Sequence, residues 1–163
     1  MAALSSACLW VLGALLVGAL ANLLPLAWLN APLGVASPEK ATRRLAIYEQ
    51  RLGIRSWKRW IPDAGHALPG GIRKASLARR DPAALQRLVA ETRRAEWVHW
   101  LLWPLWLLTL LWLPAGGVVV NLLFATVFNL PCLLLQRYNR LRLRLLLART
   151  PARLSAPTSR LPG

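Results

Sequence analysis

The chain has 163 residues, 56% of them apolar, yet it carries a formal net charge of +15 and a sequence isoelectric point near 11.8. A soluble domain rarely combines those properties, and a nucleic-acid binder would interleave its basic residues with the fold. Here charge is segregated: no Asp, Glu, Lys or Arg occurs at 2–38 or at 100–136. That is the pattern of membrane spans joined by basic loops.

The first uncharged block contains an apolar run at 4–24, long enough for one spanning helix of about 20 residues. A rival reading makes this run a signal peptide, because Ala19-Leu20-Ala21 resembles a cleavage site. No Lys or Arg precedes the run, and cleavage would place the basic loop outside, so both features count against it.

Ser37-Pro38-Glu39 then reads as a helix start, with a capping serine and proline in the first turn. Ala41, Leu45, Tyr48 and Leu52 recur at helical spacing, and Gly53 ends the run. Arg43, Arg44 and Arg51 take the other faces. Such a helix suits an inner membrane surface, or packing on the rest of the loop. Trp57 and Trp60 flank Lys58 and Arg59, a pairing that suits the lipid headgroup layer. Residues 62–66 and 69–71 read as loop, and Asp81-Pro82 starts a second helix that should run unbroken into the membrane.

The second uncharged block is the right length for two spans. Pro114-Ala115-Gly116-Gly117 divides it into arms at 97–113 and 118–135. Each arm is about 26 Å long at the helical rise, slightly short, so Trp and Arg side chains should anchor the ends. The expected fold is therefore all-α, an integral membrane domain at 1–150. It has about three transmembrane helices, an interfacial amphipathic helix and a basic loop at 38–96, followed by a flexible basic tail at 151–163.

Fourteen of the 21 basic residues lie between Lys40 and Arg94, and the other seven follow residue 136. With three spans both groups fall on one side, which the positive-inside bias makes cytoplasmic. The N-terminus and the hairpin tip then face outward, and the C-terminus is cytoplasmic, in a multi-pass protein of the cell (inner) membrane.

Cys8 and Cys132 should lie at opposite ends of their spans and read as small apolar packing residues. Two cysteines and two histidines at these spacings form no zinc motif, and nothing calls for a cofactor.

The polar residues of the hairpin converge. Glu96 and His99 share a helical face, with Trp100 and Trp103 beyond them. Counting from the turn, His99 pairs in depth with Cys132, Asn129 lies within one turn of that level, and Gln136 falls opposite Glu96. Glu96, His99, Asn129, Gln136, Arg137, Tyr138, Asn139 and Arg140 should gather at the cytoplasmic boundary. Charged groups at that depth usually face a partner or a cavity. The arginines alone also fit a simple span-end role.

Four strings resemble a known family. They are Trp57-Lys58-Arg59-Trp60-Ile61-Pro62-Asp63-Ala64-Gly65, Glu91-Thr92-Arg93-Arg94-Ala95-Glu96-Trp97-Val98-His99-Trp100, and Asn129-Leu130-Pro131-Cys132 with Gln136-Arg137-Tyr138-Asn139-Arg140. Over roughly 54–146 the chain resembles the glycosyl-4,4′-diaponeurosporenoate acyltransferases. The resemblance implies an acyltransferase of staphyloxanthin-type carotenoid biosynthesis, which esterifies a fatty acyl group onto the sugar of a glycosylated carotenoid. One departure is Leu141, where the family motif has proline, so the backbone after Arg140 should continue as helix.

That chemistry needs a base for the sugar hydroxyl, polarising groups for the carbonyl and a grip on the donor. His99 is the candidate base, with Glu96 orienting it or favouring its protonated form. Asn129 or Asn139 would donate to the oxyanion, and Arg137, Arg140, Arg93 and Arg94 would hold the phosphates of an acyl-CoA or acyl carrier protein donor. Gln136 and Tyr138 complete the substrate contacts. Pro104 occupies the place of the aspartate in a His-x4-Asp motif, and no Gly-x-Ser-x-Gly elbow occurs. Cys132 is a weaker candidate nucleophile, because buried thiols are usually inert. The partners are then donor, glycosylated carotenoid acceptor and lipid bilayer, with no nucleic acid. Alternatives are a non-catalytic membrane partner of carotenoid enzymes, or an acyltransferase for another membrane glycoside.

Overall fold

A computed structural model describes residues 1–29, 37–61 and 82–149, all helices and their connections. The expected loops at 62–71, the Asp81 cap and the tail from Thr150 lie outside the described residues. The order is α1 (Ala2–Leu23), α2 (Leu26–Leu29), α3 (Pro38–Gln50), α4 (Ile54–Trp57), a 3₁₀ turn (Lys58–Trp60), α5 (Pro82–Leu102), a 3₁₀ segment (Trp103–Leu111) and α6 (Ala115–Arg149). α5 and its 3₁₀ continuation run antiparallel to α6, α1 lies along α5, and α3 packs on α6.

The local signals explain most boundaries. The Ser37 hydroxyl accepts from the Lys40 amide at 3.4 Å, with Pro38 in the first turn of α3. Gly53 adopts φ 55°, a left-handed conformation that glycine takes at little steric cost, and separates α3 from α4. α6 continues through Leu141 to Arg149 as one helix, with Pro131 inside it.

Two expectations about the hairpin change. The arm at 97–113 is α-helical only to Leu102 and then tightens into nine residues of 3₁₀ helix. Pro104 explains the switch, since it lacks an amide proton and its ring clashes with the carbonyl four residues back. The turn is also earlier than Pro114–Gly117. The Leu113 amide closes on the Thr109 carbonyl at 2.9 Å, and the Val118 amide on the Pro114 carbonyl at 3.1 Å. Gly116 and Gly117 therefore belong to the first turn of α6. A Cβ on Gly117 would stand 3.2 Å from Leu113, so the glycine lets that side chain fold back.

The distribution of polarity is inverted in the apolar half. Leu12, Leu15, Leu16 and Leu20 of α1 and Val119, Val120, Leu123, Val127 and Phe128 of α6 are each more than half exposed. Thr109, Asn121 and Asn129 are buried instead. Trp10 donates to the Asn121 carbonyl at 2.9 Å, and Asn121 donates to the Gly117 carbonyl at 2.9 Å. Trp103 donates to the Thr126 hydroxyl at 3.2 Å. An apolar exterior around hydrogen-bonded polar contacts is how helices associate in lipid. Two helices, Ala2–Leu23 and Ala115–Arg149, are long and apolar enough to cross a membrane.

The basic half packs conventionally. Ile54, Leu135 and Tyr138 form one cluster with Leu45, Tyr48, Trp57 and Ile61 around it. Leu85, Leu88 and Leu143 form another with Val89 and Leu147. Thus α3 and α4 are fixed to the middle of α6, and the start of α5 to its end.

Candidate functional site

Where the apolar half meets the basic half, α5 and α6 exchange polar side chains. Glu96 is 9% exposed and lies on the α5 face turned to α6. Arg137 Nε donates to its Oε1 at 2.6 Å, and Arg140 Nη2 donates to its Oε2. Burial alone would raise the carboxyl's pKa, but the two guanidinium hydrogen bonds outweigh it, so the group sits below the ordinary carboxylate value. Arg137 also lies over the Trp100 ring at 5.7 Å.

One turn deeper, His99 Nδ1 lies 3.0 Å from Asn129 Oδ1. Asn129 Nδ2 donates to the Ala125 carbonyl at 2.9 Å, which fixes the amide's orientation. A carbonyl only accepts, so Oδ1 must receive, and the proton on neutral His99 sits at Nδ1. Nε2 then carries the free lone pair, as a general base requires.

The depth partner of His99 is thus Asn129, not Cys132. From His99 the arm rises about 22 Å to Leu111, three α and nine 3₁₀ steps, while α6 climbs about 21 Å from Ala115 to Asn129. The earlier turn shifts the backbone register by about three residues, and the long side chains of Arg137 and Arg140 reach back toward the turn to meet Glu96.

The remaining predicted residues separate. Arg93 Nη1 donates to the Leu29 carbonyl at 3.1 Å while bordering the cleft described below. Arg94 binds both Glu91 oxygens at 2.8 Å and also reaches the Leu24 carbonyl at 3.4 Å, so it ties α5 to the α1–α2 link. Tyr138 is 1% exposed and donates to Glu49 at 2.8 Å, with Lys58 and Arg142 over its ring. It anchors α3 and α4. Gln136 and Asn139 are half-buried and are not among the hydrogen-bond partners of Glu96 or His99. Cys132 is half-buried and free, and Cys8 is exposed and free.

Beside Glu96 opens a cleft of about 880 Å³. Arg44, Ile47 and Tyr48 of α3 form one wall, Arg93, Trp97, Trp100 and Leu101 of α5 a second, and Arg137, Arg140, Leu141 and Arg144 of α6 a third. Sequence reasoning missed Arg44, Ile47 and Arg144. The 137, 140 and 144 spacing marks one helical face and was readable. The arrival of α3 as a wall was not, because no local pattern says where that helix docks.

These features define a helical, membrane-type protein with an imidazole–amide pair and an arginine- and tryptophan-lined cleft at the end of its apolar helices. The chain belongs to the glycosyl-4,4′-diaponeurosporenoate acyltransferase family, whose sequence model matches residues 25–149. It is 32% identical over 101 residues to the glycosyl-4,4′-diaponeurosporenoate acyltransferase of Staphylococcus haemolyticus strain JCSC1435, covering 62% of this chain and 58% of that protein. It is 33% identical over 95 residues to that of Staphylococcus aureus strain USA300, covering 58% and 56%. The chain therefore aligns with somewhat more than half the length of these relatives. No solved structure matches.

Proposed function

We propose that this protein is a membrane acyltransferase that esterifies a fatty acyl group onto the sugar hydroxyl of a glycosylated carotenoid, as the names of its relatives describe for them. The donor is an acyl-CoA or an acyl carrier protein thioester. The single domain crosses the cell membrane three times, by α1, by the arm at 97–113 and by the first part of α6. Its basic segments face the cytoplasm. The observation that carries this reading is a base-competent His99, held by Asn129, one turn from a cationic cleft at the boundary.

In this mechanism His99 Nε2 takes the proton of the sugar hydroxyl as its oxygen attacks the thioester carbonyl. The tetrahedral intermediate collapses to the ester, and the departing thiolate recovers the proton from His99. Asn129 receives His99 at Oδ1 and gives one of its two Nδ2 hydrogens to the Ala125 carbonyl, so it positions the imidazole and keeps a second N–H for the oxyanion. Asn139 is the other candidate oxyanion donor, and Gln136 meets the sugar. Glu96 holds Arg137 and Arg140 in place, and those arginines with Arg93 face the donor. Carotenoid and acyl chains lie in the bilayer.

The test is mass spectrometry of lipid extracts from cells that make a glycosylated carotenoid, with and without the protein. The expected result is a mass gain of one fatty acyl group that disappears with His99→Ala. Ester formation that survives both His99→Ala and Glu96→Gln would instead favour a non-catalytic partner of carotenoid enzymes. Unchanged pigment would favour the non-catalytic partner or another membrane glycoside as acceptor.

A further inference from the structure

The cleft carries more positive charge than its own acid neutralises. Among the described residues, five arginines border it and Glu96 is the one acid. Arg144 lies in the repulsive field of Arg140 and Arg93. Arg140 commits Nη2 to Glu96, yet its Nη1 is buried and has no hydrogen-bond partner among the described residues. A buried cationic N–H without an acceptor carries its full desolvation penalty, and crowded like charges add to it. An anion between these guanidiniums would remove both costs. The adjoining wall, Trp97, Trp100 and Leu101, is mainly apolar and carries no ionisable group.

We propose that Arg140 Nη1, Arg93 and Arg144 form a phosphate subsite for an acyl-bearing amphiphile whose chain runs along Trp97, Trp100 and Leu101. Calling that amphiphile the acyl donor rests on the acyl-transfer reading above. A phosphate suits the subsite better than a carboxylate, because its oxygens can meet several guanidinium forks at once. Two sources share this chemistry. An acyl-CoA brings phosphates beyond its pantetheine arm, and an anionic phospholipid brings one phosphate close to its chains.

The experiment uses the full chain in phosphatidylcholine nanodiscs. The probes are radiolabelled palmitoyl-CoA, phosphatidylglycerol mixed into the disc, inorganic phosphate, and the neutral thioester palmitoyl-N-acetylcysteamine. Saturable binding of palmitoyl-CoA or of phosphatidylglycerol is expected, and the arm that binds identifies the source. Arg144→Gln and Arg140→Gln should each weaken that binding by about tenfold or more, in line with a lost charged hydrogen bond. Arg43→Gln removes the same charge from an exposed position outside the cleft and should leave binding unchanged. Circular dichroism and the unfolding midpoint identify variants that remain folded. Equal binding of the neutral thioester, or unaltered affinity in a folded Arg144→Gln protein, would overturn the subsite. Saturable binding by a protein whose His99→Ala and Glu96→Gln variants still support ester formation in pigment-making cells would instead leave the subsite standing and sink the enzyme reading.

Discussion

Glu96 receives two guanidiniums from one face of α6, spaced three residues apart at Arg137 and Arg140. Removing its charge leaves Arg140 in a site where it is only 15% exposed. Glu96→Gln should therefore destabilise the fold by about 2–3 kcal/mol, the low side for a buried pair because Arg137 remains partly solvated. The pH dependence has a definite sign. The folded carboxyl sits below its ordinary value, so its stabilisation is present at neutral pH and lost as pH falls below about 4.5 toward the folded pKa. Thermal unfolding in detergent should show that acid slope, and Glu96→Gln should flatten it. Asn129 is tested differently. Asn129→Leu removes the acceptor that fixes His99, and should lower kcat about 100-fold with the donor KM little changed. Asn129→Asp keeps an acceptor and should recover part of the loss, whereas equal losses in both variants would argue for a packing role alone.

At the scale of elements, close approach and helix continuity can each be probed. A Cβ on Gly13 would stand 2.5 Å from the Leu105 methyl, whereas one on Gly18 would meet nothing within 4 Å. Gly13→Leu should push α1 off the 3₁₀ segment and cost about 1–3 kcal/mol by overpacking. Gly18→Leu points into open space and should cost almost nothing, so the pair of unfolding midpoints measures the α1 contact directly. Leu141 lies inside α6, which continues through it to Arg149. Leu141→Pro should break the helix there at a cost of about 3 kcal/mol. The change should also detach Leu143 and Leu147 from Leu85, Leu88 and Val89. Hydrogen exchange would then show faster loss of protection at 141–149 than at 118–135.

At the scale of the whole molecule, the inverted polarity and the segregated charge make a joint prediction about topology. In a background without Cys8 and Cys132, a cysteine at Arg51 should resist a membrane-impermeant thiol reagent in intact cells and react after permeabilisation. A cysteine at Ala115, on the hairpin tip, should react from outside. Labelling of position 51 in intact cells would remove the cytoplasmic cleft from the proposed mechanism.

Some of this was legible from residues alone. Continuous apolar runs of about 20 residues match a helix across lipid, where every backbone group is satisfied within the segment, and exceed the roughly ten alternating residues of a barrel strand. Ser37, Pro38 and Gly53 act through their own backbones, so the limits of α3 were readable to within a few residues. The convergence of Glu96, His99, Asn129, Arg137 and Arg140 followed from a hairpin and a helical period. The pairing inside that group did not. It depended on how far Pro104 stretches the arm and where the turn closes, and a shift of three residues exchanged Cys132 for Asn129. The destinations of Arg94 and Tyr138, and the arrival of α3 as a wall, were equally unreadable. Periodicity reports which face a side chain occupies, but only packing between distant segments decides what that face meets.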